Sequence, residues 1–407
     1  MSPGDRRHPA QLAGPTANPY YEIFGQHQIR MRVPITTPRP LACVQRVWRG
    51  FALSALILAS ACATTGRTGS LPAVEPPSCR AAAARAGAAV PVRWLADPAD
   101  GDRATLDAWC RGVGPVEHLH AAPEVFHAAR RVIAVVSWNV NVGAGDLGSL
   151  VSDLRAGRLS GGRVPDGFVL LLQEALRSGV AVPPAGPGQA GARRLVRSAD
   201  PLDIVTFARQ SQLALFYVPS MRNGSGRGYR EDRGNAILAT VPLSDLRALE
   251  LPFARQRRVA AVATLALDRS GPPLAVASVH LDPFVGARRL WVFGASEARD
   301  RQARVVAGTL RSAGAFVVGG DLNTWRGDAE PAIAVMRRIS DDAPRQPEPT
   351  YANGFVLDHI FFRLAADWQV RLSRASHTYG SDHFPLVGLI DVPEVLPSGL
   401  PSRAASH

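Results

Sequence analysis

An α/β sandwich built on mixed, mostly antiparallel sheets is the fold class this sequence predicts. Three observations point there. Nine short apolar runs, each the length of a strand and bounded by turn residues, follow one another from residue 131. A single stretch, about 287–311, has the length of a long helix. Strands and helices do not alternate regularly.

The runs come in order. "RVIAVVSWNV" (131–140) and "GFVLLLQEAL" (167–176) are β-branched or Leu-rich and too short for buried helices. "SQLALFYVP" (211–219) and "RGNAILATVPL" (233–243) follow, with turn residues between them. "VAAVATLAL" (259–267) and "PLAVASVHL" (273–281) are expected to pair antiparallel across "DRSGP". The helix then presents Leu290, Phe293, Val306 and Leu310 inward. "AFVVGGD", "GFVLDHIFFR" and "FPLVGLIDV" complete the set. Residues 394–407 are expected to fray, and no internal repeat is visible.

Upstream of 131 the texture differs. "RVWRGFALSALILASACA" (46–63) places Arg46 and Arg49 before a short apolar run and then small residues. That is the order of a secretory signal. Met31 is the better start, because residues 1–30 are polar and Pro-rich. "LASAC" ending at Cys62 is taken as a lipobox, with Ala59 where leucine is usual. Ala59-Ser60-Ala61 would serve as an ordinary cleavage site. Residues 1–62 are thus a leader. Residues 63–130 are a tether and an N-terminal extension that packs on the main domain, with a helical stretch at "CRAAAARAGAA". The expected location is the periplasm or a lipid-anchored surface of a bacterium. Cys79 and Cys110 are the pair left for a disulfide, which an oxidising compartment permits.

The chain has 407 residues, no lysine and a net charge of +12. Seven arginines against Asp5 and Glu22 put +5 of that in residues 1–61 and leave +7 for the rest. A GC-rich coding sequence explains such a composition. The charge permits nucleic acid or anionic lipid as partner. The charged fraction of 20% excludes a largely disordered protein, and no internal run is long enough to span a membrane.

The informative residues lie where apolar runs stop. Asn139 ends the first run, Glu174 the second, His280 the sixth, and Asp321 with Asn323 the seventh. Asp358-His359 lies within the eighth, and Asp382-His383 precedes the ninth. A lone strand-end Asp is usually a turn former, but six coincidences suggest one mouth where strands converge. Phosphodiester attack needs such a mixture. A hard cation takes carboxylate and amide oxygens, which suits Glu174 and Asn139. His383, oriented by Asp358, is suited to deprotonate water. His280 and Asn323 are suited to donate to phosphate oxygens. Asp321 would position the nucleophile or protonate the leaving oxygen. Gly319-Gly320 are read as a sharp turn that releases the strand beneath the phosphate.

The landmarks "SWNV", "LLQEAL", "RGNAILAT", "SVHLD", "VVGGDLNTW", "LDHIFFR" and "GSDHFPLV", in this order, resemble the endonuclease/exonuclease/phosphatase superfamily. It includes deoxyribonucleases, abasic-site endonucleases, neutral sphingomyelinases and inositol polyphosphate 5-phosphatases. The resemblance covers residues 131–393. It implies a four-layer α/β sandwich with a metal, Mg²⁺ or secondarily Mn²⁺, at the top of two packed sheets. Glu174 would be the principal ligand with Asn139 beside it and Asp382 near the metal. Asp321 and Asn323 would hold nucleophile and phosphate, His280 would contact the phosphate, and Asp358 would orient His383.

The loops at 177–209 and 220–235 match no subgroup, so substrate choice stays open. Arg222, Arg227, Arg230 and Arg233 either grip a polyanion or are solvated, the second being preferred. The expected activity is an exported metal-dependent phosphoesterase, monomeric, with nucleic acid (DNA or RNA) ahead of phospholipid or sphingolipid. A non-catalytic binding module on the same fold is the rival, and the intact Glu/Asp/Asn/His set argues against it.

Overall fold

A computed structural model describes residues 92–96, 101–120, 132–184, 198, 200–224, 228–265, 267, 272–283, 290–341 and 348–393. The leader with Cys62, the "CRAAAARAGAA" stretch with Cys79, most of the loop before 200, Arg227 and the tail lie outside the described residues, as do the side chains of Leu290 and Phe293.

Two mixed sheets face each other. In chain order the strands are β1 (Arg93–Ala96), β2 (Glu117–Leu119), β3 (Val132–Asn139), β4 (Gly167–Ser178), β5 (Ala214–Arg222), β6 (Glu231–Ala239) and β7 (Leu243–Glu250). β8 (Val259–Leu265), β9 (Leu274–His280), β10 (Ala315–Asp321), β11 (Asp358–Arg363), β12 (Gln369–Arg374) and β13 (Leu386–Asp391) follow. One sheet has the order β1-β7-β8-β9-β10-β11, the other β12-β13-β3-β4-β6-β5-β2. Only the β1–β7, β9–β10 and β3–β4 pairs are parallel. The expected pairing of 259–267 with 273–281 is the antiparallel β8–β9 ladder.

The continuous apolar runs follow from burial on both faces. In β3, Ile133 and Val135 enter the core between the sheets, while Ala134, Val136 and Trp138 face outward. There they meet helices α2 (Leu147–Arg155) and α3 (Ile204–Gln210), which bury Leu150, Leu154, Ile204 and Phe207. In β10, Val317 points inward, while Phe316 and Val318 meet α4 (Leu290–Leu310) and α5 (Pro331–Arg337). Val306 and Leu310 of α4 are buried there, as expected. Helix, sheet, sheet, helix makes four layers.

Several expectations are corrected. "RGNAILATVPL" is not one strand: it breaks after Ala239, and β7 begins at Leu243. β7 and β12 escaped notice because each carries exposed polar residues on one face. The run "GFVLDHIFFR" becomes a strand only at Asp358. Gly319-Gly320 do not turn the chain, because β10 continues through them to Asp321. They permit close approach instead. A Cβ on Gly319 would lie 2.7 Å from that of Ser137 in the facing sheet, and one on Gly320 would overlap the Val279 carbonyl oxygen of β9.

Residues 92–119 are woven into the fold. β1 pairs with β7, and β2 with β5. Between them lies α1 (Arg103–Cys110). Trp94, Cys110 and Val113 sit in the core between the sheets. Cys110 is disulfide-bonded, and its partner lies outside the described residues.

Candidate active site

Strand ends from both sheets meet at one mouth. β3 and β4 run parallel and finish together, with Asn139 in register with Gln173. β4 then bulges between Leu172 and Ala175 against β6, and Glu174 adopts a φ of 54°. A bulge re-aims a side chain, and here Glu174 lines a narrow cleft with Arg233, Arg258 and His280. In the other sheet, Asp321 is in register with His280 of β9 on one side and Asp358 of β11 on the other. Three polar residues thus occupy one rung across three strands.

The contacts are specific. His383 Nδ1 lies 2.7 Å from Asp358 Oδ2, and both side chains are buried. His383 Nε2 faces Asp321 Oδ2 and Asp382 Oδ1, each at 3.9 Å. Asp321 accepts from Asn139 Nδ2 at 3.0 Å and from the Asn323 backbone N–H at 2.9 Å, and His280 Nε2 lies 3.4 Å from it. Asn323, with φ of 51°, donates its side-chain amide to the Leu281 carbonyl.

The His383 backbone is fixed from several directions. Trp138 Nε1 donates to its carbonyl at 2.9 Å, its N–H donates to Ser381 Oγ, and that hydroxyl donates to the Asn139 carbonyl. The Tyr351 ring lies 4.8 Å from the imidazole, centroid to centroid. Thr350 Oγ1 accepts the N–H groups of Leu357 and Asp358 and so sets where β11 starts.

Burial and charge sort the two histidines. Burial pushes His280 well below the usual range, and the charges of Arg258, His383 and Arg233 push the same way. Burial alone would lower His383 too, but the charge and hydrogen bond of Asp358, then Asp321 and Asp382, outweigh it and raise the ring to about 10. Burial, reinforced by the Asp358 charge, raises Asp321 to about 7 against the pull of His383 and the Asn323 and Asn139 donors. The carboxylates around His383 thus strengthen it as a base, whereas burial and neighbouring cations favour a neutral His280.

The donor set fits a hard cation. Asp358 Oδ1 is buried with no hydrogen-bond partner among the described residues. Asp321, Asp358 and His383 also bring donor atoms within 4.8 Å of one another. An ion on that triad would compete with the 2.7 Å Asp358–His383 bond; Glu174, Asn139 and Asp382 offer further carboxylate and amide oxygens at the mouth. Asn139 Oδ1 already accepts the Asn141 N–H at 3.0 Å, which leaves it one lone pair for an ion.

All eight sequence-predicted site residues lie at this mouth. Glu174 is less buried than the others of the inner group, and Asp382 is part-exposed. His359 pairs its Nε2 with the Thr324 hydroxyl at 2.8 Å. Arg222 is neither solvated, the preferred expectation, nor turned to a polyanion: it is buried and donates to the Pro183, Pro184 and Tyr229 carbonyls. Arg233 turns toward Glu174, 3.9 Å away. Arg258 was not anticipated. The only signal for it was "QRRV", two arginines opening an apolar strand, of which Arg257 is consumed by Glu250.

The model of the Endonuclease/Exonuclease/phosphatase family matches residues 136–383. The chain belongs to this family. The matched span runs from β3 to His383 and so takes in every strand end of the mouth. As a member of the endonuclease/exonuclease/phosphatase family, it is a phosphoesterase by class. No curated protein matches the chain. Among solved structures, it is similar to an endonuclease/exonuclease/phosphatase from Beutenbergia cavernae, at 17% identity over 65% of this chain and 72% of that one, with a TM-score of 0.46. It is similar to the human Nocturnin catalytic domain with bound sulfate, at 18% identity over 68% and 97%, with a TM-score of 0.43. Sphingomyelinase C from Streptomyces griseocarneus shares 16% identity over 65% and 99%, with a TM-score of 0.38.

Proposed function

We propose that the protein is an exported, Mg²⁺-dependent phosphodiesterase that hydrolyses its substrate by in-line attack of water, with nucleic acid the preferred substrate. The observation that carries the reading is the buried Asp358–His383 pair, whose free ring nitrogen faces Asp321. Asp358 accepts at Nδ1 and leaves Nε2 as the atom at which a proton is taken from water. Asp321, braced by Asn139 and the Asn323 N–H, positions that water. Neutral His280 and the Asn323 amide are the donors for phosphate oxygens. Bound Mg²⁺, or Mn²⁺, held by Glu174, Asn139 and Asp382, would offset phosphate charge and polarise its oxygens.

Two features favour nucleic acid. Arginines line the cleft, and Trp325 and Phe355 form an aromatic edge beside Tyr351, with ring centroids 5.1 Å and 6.1 Å from Trp325. Bases stack on such surfaces. Export rests on the leader pattern, and the disulfide at Cys110 agrees with it. A lipid on Cys62 would tether the enzyme.

The test is hydrolysis of plasmid DNA, RNA, phospholipid vesicles and an aryl phosphodiester, with Mg²⁺ and with EDTA. His383→Ala should lower kcat by about 10²–10⁴. Turnover within a few-fold of wild type in that variant would remove His383 from proton transfer. Vesicles hydrolysed in preference to DNA and RNA would move the substrate to lipid.

A further inference from the structure

The space between the sheets changes character one rung below the mouth. Side chains two positions apart on a strand share a face, so Ser137 lies under Asn139, Ser278 under His280 and Gly319 under Asp321. Deeper in, Val135, Leu171, Ile237, Val276 and Val317 are apolar. By the same alternation, Gln173 of β4 and Asn235 of β6 face this space above Leu171 and Ile237. Ser137, Gln173, Asn235 and Ser278 are thus a polar rung, and all four are buried. Ser137 Oγ and Gln173 Oε1 make no hydrogen bond among the described residues. Buried polar atoms without partners are costly, and apolar side chains would pack here without that cost. Stability does not account for the rung.

Its hydrogen bonds run from one sheet to the other. Gln173 Nε2 on β4 donates to Ser278 Oγ on β9 at 3.1 Å, and to the Leu171 carbonyl of its own strand at 2.9 Å. The Ser278 hydroxyl donates in turn to the Leu172 carbonyl of β4 at 2.8 Å. Asn235 Nδ2 donates to the Ser278 carbonyl at 3.2 Å and to the Val259 carbonyl at 2.7 Å, so the backbone of Ser278 is held as well. Leu172 is the last residue of β4 paired with β6 before the bulge. The bulging strand is thus pinned where it leaves its ladder, by a side chain of the facing sheet.

We infer that Ser278, together with Gln173, is a positioning residue for Glu174. Glu174 stands in the bulge with φ of 54°, in the left-handed region that residues with a Cβ rarely adopt. Such a backbone persists only where its surroundings over-determine it. Ser278 supplies that constraint through two adjacent groups of β4, the Leu172 carbonyl and the Gln173 amide. The same serine lies two residues before His280 on β9. One bridge therefore sets the distance across the mouth between the carboxylate of one sheet and the imidazole of the other. The inference rests on the proposed function for the role of Glu174 as a metal holder, but the constraint on the bulge does not.

The test uses the purified full chain without substrate. Mn²⁺ is titrated into metal-free protein, and the free ion is followed by electron paramagnetic resonance. Glu174→Gln should weaken binding about tenfold or more. Ser278→Ala and Gln173→Met should each weaken it about tenfold, and the double variant no further than the weaker single, because the two side chains form one bridge. Ser278→Thr, which keeps the hydroxyl, should retain most of the affinity. Hydrogen exchange in EDTA reads the bulge without metal. In Ser278→Ala, residues 170–176 should exchange about tenfold faster, with β3 and β10 unaltered and Tm close to that of wild type. Mn²⁺ affinity unchanged in Ser278→Ala but lost in Glu174→Gln would overturn the bridge. So would a lower Tm with exchange quickened equally in every strand, which marks a core residue only. Affinity unchanged in Glu174→Gln would instead remove Glu174 from the metal. Exchange then decides alone: a faster 170–176 upholds the bridge, and an unaltered one overturns it.

Discussion

At the scale of single residues, the site separates groups that look alike in the sequence. His359 and His383 both adjoin or follow an acid in a strand-end motif, but only His383 meets a carboxylate through its ring. His359 is lowered by burial to about 4 from an ordinary 6.5. Its unfolded form therefore takes up a proton across that interval while the folded form does not. Its contribution to stability is complete above about pH 6.5 and is lost as pH falls toward 4. His359→Gln should flatten the fall in unfolding free energy over this window by about 1–3 kcal/mol, measured by urea denaturation at several pH values. An unaltered slope would show that another group titrates there. The site residues were legible because a carboxylate or amide at the end of a very apolar run is costly without a task. Arg258 was not legible, because one arginine opening an apolar strand carries no sign of the cleft it lines.

At the scale of elements, strands were read well where both faces are buried and poorly where one is wet. β3, β4, β9 and β10 were found as continuous runs. β7 and β12 were not, since Ser244, Asp245, Arg371 and Arg374 interrupt them. The glycines of β10 were noticed, but their reason was misjudged, because close approach is a property of two strands. Gly320→Ala should be the harsher of the two substitutions. Its Cβ meets the backbone of β9, which cannot yield without moving the His280–Asp321 rung. Gly319→Ala meets the Ser137 side chain and Leu171 Cδ1, which can adjust. Overpacking of this kind costs about 1–3 kcal/mol, so Gly320→Ala should shift the denaturant midpoint further and reduce activity in parallel. Equal midpoints for the two would contradict this account of β10.

At the scale of the whole molecule, the four layers, the mouth and the packing of an N-terminal extension were anticipated, while the strands that residues 92–119 add to both sheets were not. A four-residue and a three-residue strand carry too little pattern to be recognised alone, and each gains its hydrogen bonds from a partner more than 90 positions away. The described fold also has an asymmetry. Asp321 lies on β10, flanked on both sides, but Asp358 lies on β11, the last strand of its sheet. An outermost strand opens at lower free energy than the strands it covers. Loss of β11 from the ladder would leave His383 without its orienting acid while most of the core stayed packed. Catalysis should consequently be the first property surrendered on warming: thermal inactivation, followed by initial rates at each temperature, should set in several degrees below the collapse of the near-ultraviolet dichroism signal, and should reverse on cooling.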